Sequence, residues 1–261
     1  MEKYTIKYLK AEQVASITDY IFLKTEDAFI KDPLGAVAAR EKAFKEFLSQ
    51  VVIFNPYAAC VRHFDVSKMK EALDNNHRDD IKIAAAVGFP YPDIFSRNSS
   101  QLQITINEID IAYQCGAREI DFVLPRNKFS PNGSIIKNYV ESVNNSIKNK
   151  GMLSKLILEI GELDEKEIIS AFIFADNLRI DFLKTSTGYA KNPTPNLVHF
   201  VKKNFHRGIN ISGGVNLDNY QEFLSAANNY QGEIELDPLK IRLGASGLLS
   251  QLYQKGNNDT Y

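Results

Sequence analysis

Eight short runs of strand character, each followed by a longer segment of helical spacing, constrain this chain more than any other feature. The runs fall at 17–23, 51–55, 81–88, 119–124, 155–161, 180–187, 208–214 and 239–246. Several are nearly continuous in Val, Ile, Leu, Phe and Ala, the pattern of parallel strands buried on both faces. Helical spacing is clear at 36–50. It recurs at 101–115, where Ile104, Ile109, Ile111 and Ala112 fall near one face and Gly116 offers a C-cap. Asp164 is placed to cap a further helix, and 216–229 and 246–253 complete the set. Eight strand–helix units in 261 residues is the count and length of a closed (β/α)8 barrel, the TIM barrel. An open, doubly wound sheet is the rival, but no Gly-x-Gly-x-x-Gly turn follows the first run. The expectation is one barrel domain over 1–255, with a flexible polar tail at 256–261.

Composition narrows the function classes. The formal net charge of -1 gives no broad attraction to nucleic acid or to a membrane surface. No apolar run approaches the length that crosses a bilayer, and the charged opening lacks the apolar stretch of a secretory signal. Cys60 and Cys115 have neither metal-ligand nor redox spacing, so a reducing, cytoplasmic setting is expected. His63, His77, His199 and His206 show no ligand spacing, and no metal is expected.

In such a barrel, side chains at the C-terminal ends of the strands converge on one pocket. Lys184 ends the sixth run within Asp181-Phe182-Leu183-Lys184-Thr185-Ser186-Thr187-Gly188-Tyr189. It reads either as a lysine snorkelling out of a strand end or as a desolvated, neutral amine able to attack a carbonyl. Asp121 sits between Ile120 and Phe122, as an ion-pair partner or an acid/base group. Asp19 in the first run reads as a strand-start aspartate or a pocket residue. Asn210, between Ile209 and Ile211, must find hydrogen-bond partners if buried. Ser212-Gly213-Gly214-Val215 and Gly244-Ala245-Ser246-Gly247 follow the seventh and eighth runs. Glycine-rich loops there are the usual phosphate site of this architecture.

With these residues assembled, the chain resembles the 2-deoxyribose-5-phosphate aldolases, class I aldolases on a TIM barrel. The resemblance runs from about Asp19 to Leu252. The signature Asp-Phe-x-Lys-Thr-Ser-Thr-Gly is matched by Asp181 to Gly188, and Gly88-Phe89-Pro90, Gly116 to Asp121, Leu158-Glu159 and Arg242 to Ser246 add support. It implies reversible cleavage of 2-deoxy-D-ribose 5-phosphate to glyceraldehyde 3-phosphate and acetaldehyde, with no metal or organic cofactor. Lys184 is then the imine-forming lysine, Asp121 the acid/base aspartate and Asp19 the first-strand aspartate. Thr187, Gly188, Gly213, Gly214, Gly244 and Ser246 would hold the sugar phosphate, and the assembly carried as an expectation is a homodimer.

One departure stands out. The family's seventh strand usually reads Gly-x-Lys-x-x-Gly-Gly, and here Asn210 takes the lysine's place. Asparagine carries no charge and shuttles no proton as ammonium. Lys184 would then depend on desolvation alone for a lowered pKa, with Lys24, just beyond the first strand, as the one substitute cation. Ile53 stands where some members carry cysteine. Tyr261 could reach back toward the pocket as a lid or proton donor. The alternatives are an imine-forming lyase for another sugar phosphate or aldehyde, and a weakly catalytic homologue that binds a sugar phosphate.

Overall fold

The apolar runs separate into two faces once the chain is folded. In the computed structural model, which describes residues 2–90, 100–125 and 134–258, eight parallel strands close into a barrel. They are β1 (Thr18–Phe22), β2 (Ala58–Arg62), β3 (Lys82–Val87), β4 (Glu119–Val123), β5 (Leu153–Ile157), β6 (Phe182–Lys184), β7 (Gly208–Ser212) and β8 (Ile241–Ala245). β8 pairs with β1 and closes the ring. A helix follows each strand: α1 (Ala36–Phe54), α2 (Val66–Asn75), α3 (Gln101–Gln114), α4 (Ser134–Asn149), α5 (Glu165–Asn177), α6 (Pro195–Asn204), α7 (Tyr220–Ala227) and α8 (Leu248–Asn258). Outside the barrel, Lys3–Thr5 pairs antiparallel with Glu233–Glu235. The (β/α)8 barrel expected from the strand–helix count is the architecture observed.

Side chains alternate across each strand, and here the alternation sorts two cores. Ala59, Val61, Ala85, Val87, Ile120, Phe122, Leu156 and Leu183 face outward and join the helices in one large cluster. Cys60, Ala84, Ala86, Val123 and Ile157 face inward and pack with Ile21, Leu23 and Phe89 in a second, smaller one. That inner cluster forms the apolar wall of the site described below.

Three expectations about the elements are corrected. The second run, 51–55, is the end of α1 and not a strand. Its residues Val51 and Phe54 continue a buried stripe with Phe44 and Phe47 at helical spacing, and α1 stops at Asn55 in the left-handed region, φ 50°. The strand forms from Ala58 to Arg62 instead. Small residues give little strand signal there, and burial in the barrel decides over propensity. Ile53 is accordingly 66% exposed on α1, and the residue that β2 turns inward is Cys60. On α3 the buried stripe is Thr105, Ile109 and Ala112, whereas Ile104 and Ile111 lie on the exposed side. Finally, α8 runs past Tyr253 to Asn258, so part of the expected tail is helix. The Tyr253 ring stacks on Phe54 with centroids 4.7 Å apart, which holds α8 against α1. Residues 259–261, and with them Tyr261, lie outside the described residues. Asp164 does cap α5, accepting from the Glu167 N–H while Glu167 accepts from the Asp164 N–H.

The start of β7 shows how tightly the inner face is filled. A Cβ on Gly208 would lie 2.4 Å from the Phe182 ring, which is buried. Gly208→Ala is expected to destabilise the fold by about 1–3 kcal/mol, read as a lower urea midpoint with an unchanged slope.

Candidate active site

Inward-facing positions of neighbouring strands bring charged and amide side chains into register. Asp121 of β4 lies opposite Lys155 of β5, and Lys184 of β6 lies opposite Asn210 of β7. Asn210 in turn lies opposite Arg242 of β8, and Asp19 of β1 lies opposite Gly244. All of these side chains are withdrawn from solvent.

Asp121 is the hub. Its Oδ2 accepts from the Lys184 Nζ at 2.6 Å, and its Oδ1 is 3.1 Å from the Lys155 Nζ. Lys155 also reaches Asp19 Oδ2 at 2.6 Å and Glu119 Oε2 at 2.7 Å. Arg242 completes the cluster, with Nη1 at 2.5 Å and Nη2 at 3.0 Å from the two Glu119 oxygens and Nη1 at 3.2 Å from Asp19 Oδ1. Its guanidinium is sandwiched between Tyr57 and Phe182, at 4.4 and 4.6 Å from their centroids, which floors the barrel. Asn210 donates from Nδ2 to Asp19 Oδ2 at 2.6 Å, while its Oδ1 is buried without a hydrogen-bond partner. The Cys60 thiol donates toward Asp121 Oδ2 at 3.5 Å.

Three cations, Lys155, Lys184 and Arg242, thus face three carboxylates, Asp19, Glu119 and Asp121. Burial alone would push the Asp121 carboxyl up, but Lys155 and Lys184 outweigh it and hold the pKa below the ordinary carboxylate range. Burial likewise works against the charge on Asp19, and Lys155 and Arg242 reverse it. For Lys184, burial favours the neutral amine, yet Asp121 raises the pKa above that of ordinary lysine. Desolvation therefore does not act alone on Lys184, because Asp121 favours its charged form. Burial pushes the Cys60 thiol up, so it stays protonated.

Above this cluster the loops after β6 and β7 are laced together. Thr185 Oγ1 donates to the Ser212 carbonyl at 2.7 Å, and Ser212 Oγ donates to the Ser186 carbonyl at 2.6 Å. Glu159, at the end of β5 with φ 55°, accepts from Ser186 Oγ at 2.9 Å, from the Thr187 N–H at 3.0 Å and from Thr187 Oγ1. Thr187 is thereby engaged in bracing its own loop. Gly188, Gly214 and Ser246 are exposed at this end of the barrel, while Gly213 is buried. Gly213 and Gly214 have φ of 91° and 72°, and a Cβ there would lie 2.7 Å from Ser186 and 2.5 Å from Asn192. Gly244 lies inside β8, where a Cβ would meet Asn210 Oδ1 at 2.8 Å. Lys24 is exposed, its Nζ resting 5.8 Å from the Phe29 centroid. It does not replace the missing lysine of β7; the second buried lysine is Lys155.

A family profile described as DeoC/LacD family aldolase matches residues 32–251. The chain belongs to this aldolase family. It is 30% identical over 191 residues to a deoxyribose-phosphate aldolase of Mycoplasmopsis pulmonis, covering 72% of this chain and 82% of that one. To a deoxyribose-phosphate aldolase of Mycoplasmoides pirum it is 32% identical over 152 residues, covering 58% of this chain and 64% of the relative. In three dimensions it is similar to the tetrameric deoxyribose phosphate aldolase of Aeropyrum pernix, with a TM-score of 0.73, 18% identity and coverage of 97% and 96%. That last likeness shows the fold alone. No helix among the described residues is long and apolar enough to cross a membrane.

The structure brings Lys184, Asp121, Asp19 and Asn210 together as expected from sequence. Lys155, Glu119, Arg242 and Glu159 join them as residues that sequence reasoning did not place in the site. Parity was the available signal: Glu119 is two residues before Asp121 and Arg242 two before Gly244, on the same strand face.

Lys155→Met leaves three buried carboxylates against two cations. A loss of about 3–5 kcal/mol is expected. In the variant one carboxylate takes up a proton on folding, so stability should rise as pH falls from about 7 to 5. The depressed Asp19 and Asp121 pKa values give the wild type no such rise over that window. Their contribution is complete above the unfolded carboxyl pKa near 3.9 and is lost as pH falls below it. Urea midpoints at the two pH values distinguish the cases, and parallel behaviour of the two proteins would sink the hub assignment.

Proposed function

We propose that this protein is a class I aldolase that cleaves 2-deoxy-D-ribose 5-phosphate reversibly to D-glyceraldehyde 3-phosphate and acetaldehyde through an imine on Lys184. The observation that carries the reading is a lysine amine, 1% exposed and 2.6 Å from a carboxylate, at the C-terminal end of a barrel strand beside an apolar wall. The names of the relatives support the substrate. Family membership and the signature from Asp181 to Gly188 support the chemistry.

Lys184 starts as ammonium, so the reaction begins with transfer of a proton to Asp121 or to solvent. The free amine adds to C1 of the open-chain aldehyde, and loss of water leaves an iminium. Asp121 takes the C3 hydroxyl proton as the C2–C3 bond breaks, and the bonding pair flows into the iminium to give an enamine. Glyceraldehyde 3-phosphate leaves. Protonation at C2 and addition of water release acetaldehyde and return the amine. Asp19, held by Lys155, Arg242 and Asn210, steadies the hub. Gly188, Gly213, Gly214 and Ser246 receive the phosphate, Thr187 shapes the β6 loop, and Gly244 leaves room in β8 for the Asn210 amide. No metal or organic cofactor enters the reaction. A cytoplasmic homodimer is the setting proposed.

Borohydride added with substrate should leave a mass increment on the peptide containing Lys184, absent from Lys184→Arg. An adduct on Lys155 or Lys24 instead would overturn the assignment.

The balanced charge predicts a pH dependence. With its pKa raised, Lys184 gains its free-base form only as pH rises, so turnover should be low near neutrality and increase in alkali. Asn210→Lys adds a positive charge beside Asp19, disfavours the Lys184 ammonium and should move the rate profile toward lower pH. A profile that stays in place, or a wild type already at its maximum near pH 7, contradicts this account.

A further inference from the structure

Among the described residues, Arg62 makes no hydrogen bond or ion pair with a carboxylate. It ends β2 two residues beyond Cys60, whose thiol touches Asp121. It is therefore the next inward side chain on that strand, roughly 7 Å nearer the mouth. Its guanidinium carbon lies 5.6 Å from the Phe64 centroid and 5.2 Å from that of Phe89. Phe89 meets Tyr189 edge-on at 5.6 Å, and Tyr189 directly follows Gly188 of the β6 loop. Two aromatic rings, Phe89 and Tyr189, thus link the arginine to the β6 loop.

The nearest described carboxylates, Glu108 and Asp65, favour the Arg62 charge through space but hold their close contacts with other groups. Asp65 is bound by Arg40 at 2.5 Å. Glu108 accepts from the Gly88 N–H at 2.7 Å and lies 3.7 Å from His63. The Arg62 Nε is buried with no hydrogen-bond partner. The fully buried arginine, Arg242, holds two carboxylates, and the largely buried Arg40 holds one. A half-buried cation whose Nε has no hydrogen bond is costly to leave unpaired, and its place beside two aromatic rings suits planar recognition of an oxyanion.

We propose that Arg62 is a specificity-determining residue that binds an oxyanion of the substrate at the β2 side of the mouth. The oxyanion is either a carboxylate on the carbonyl donor or the phosphate of the sugar, which would then sit at the β2 side in place of the glycine loops named above. The identity of the substrate rests on the aldolase reading above; the anion contact itself does not.

Two non-reacting probes, glycerol 3-phosphate and lactate, separate the sources when titrated by ligand-observed NMR into the wild type, Arg62→Gln and Arg62→Lys. Thermal melts confirm that each variant is folded. The wild type should bind at least one probe. Arg62→Gln should weaken that binding by about tenfold or more, the scale of one charge-assisted hydrogen bond, and Arg62→Lys should recover part of it. Loss confined to glycerol 3-phosphate assigns the phosphate. Loss confined to lactate assigns a carboxylate and predicts that pyruvate is trapped on Lys184 by borohydride. In turnover, KM for deoxyribose 5-phosphate, if phosphate is the anion, should rise in Arg62→Gln far more than KM for unphosphorylated deoxyribose. The proposal is overturned if neither probe binds the wild type, or if Arg62→Gln binds both as the wild type does. If Lys184 traps no carbonyl compound while probe binding still depends on Arg62, the aldolase reading fails and this one stands.

Discussion

Asp121 is shared by two buried lysines, and much of the barrel interior is arranged to make that sharing stable. One carboxylate among apolar strands would take up a proton to escape its charge, and one lysine would shed its own. Together, with Asp19, Glu119, Lys155 and Arg242 behind them, the charges cancel and most of the carboxylate oxygens find donors. Six of the eight strands contribute through their inward parity, so the cluster exists only when the barrel is closed: Arg242 and Asp19 meet across the β8–β1 seam. The ion pairs are thereby tied to the topology, and the topology is sealed below by the Tyr57 and Phe182 rings.

The same closure sets the chemistry. A nucleophilic lysine needs its proton removed, yet the carboxylate that orients it also favours its charged form. A second uncompensated cation nearby would relieve this tension. Here the second lysine, Lys155, is itself paired with three carboxylates, and it opposes the Lys184 charge less than Asp121 favours it. Orientation and activation therefore pull in opposite directions at one oxygen, Asp121 Oδ2. In the reaction proposed above, that oxygen changes partners when the imine forms and the lysine no longer carries three protons.

Much of this was legible in the sequence, for a physical reason. A charged or amide residue inside an apolar run is conspicuous because burial without partners is costly. Asp19, Asp121, Lys184 and Asn210 all announce themselves that way. Lys155 and Arg242 do not, since each stands near the start of its run, where a long side chain usually reaches solvent. Their burial follows from cross-strand register, as in Asp121 opposite Lys155, and register between strands distant in sequence is not a local property. The misplaced second strand had a larger cost. Reading 51–55 as a strand hid the inward parity of Cys60 and Arg62, and with it the apolar wall and the guanidinium. The helical stripe from Phe44 to Phe54 was the competing signal, and tertiary burial chose it.

Position 210 shows how a site can keep its shape while its acid–base balance changes. Asn210 Nδ2 gives Asp19 Oδ2 a hydrogen bond at 2.6 Å, the kind of contact an ammonium at that place would also make. The carboxylate thus stays oriented, and its other partners Lys155 and Arg242 need not move. What is removed is one charge, and with it the excess of cations over carboxylates that would press Lys184 toward its neutral form. What is added is an acceptor: Asn210 Oδ1 is buried, unpartnered and lodged beside Gly244, where any side chain would collide with it. A lysine has donors only. An amide at this position therefore offers a donor hydroxyl of the substrate, or a water, an acceptor that the two-lysine arrangement lacks. The substitution thus changes hydrogen-bond polarity as well as charge, on a framework that Asp19 holds in place.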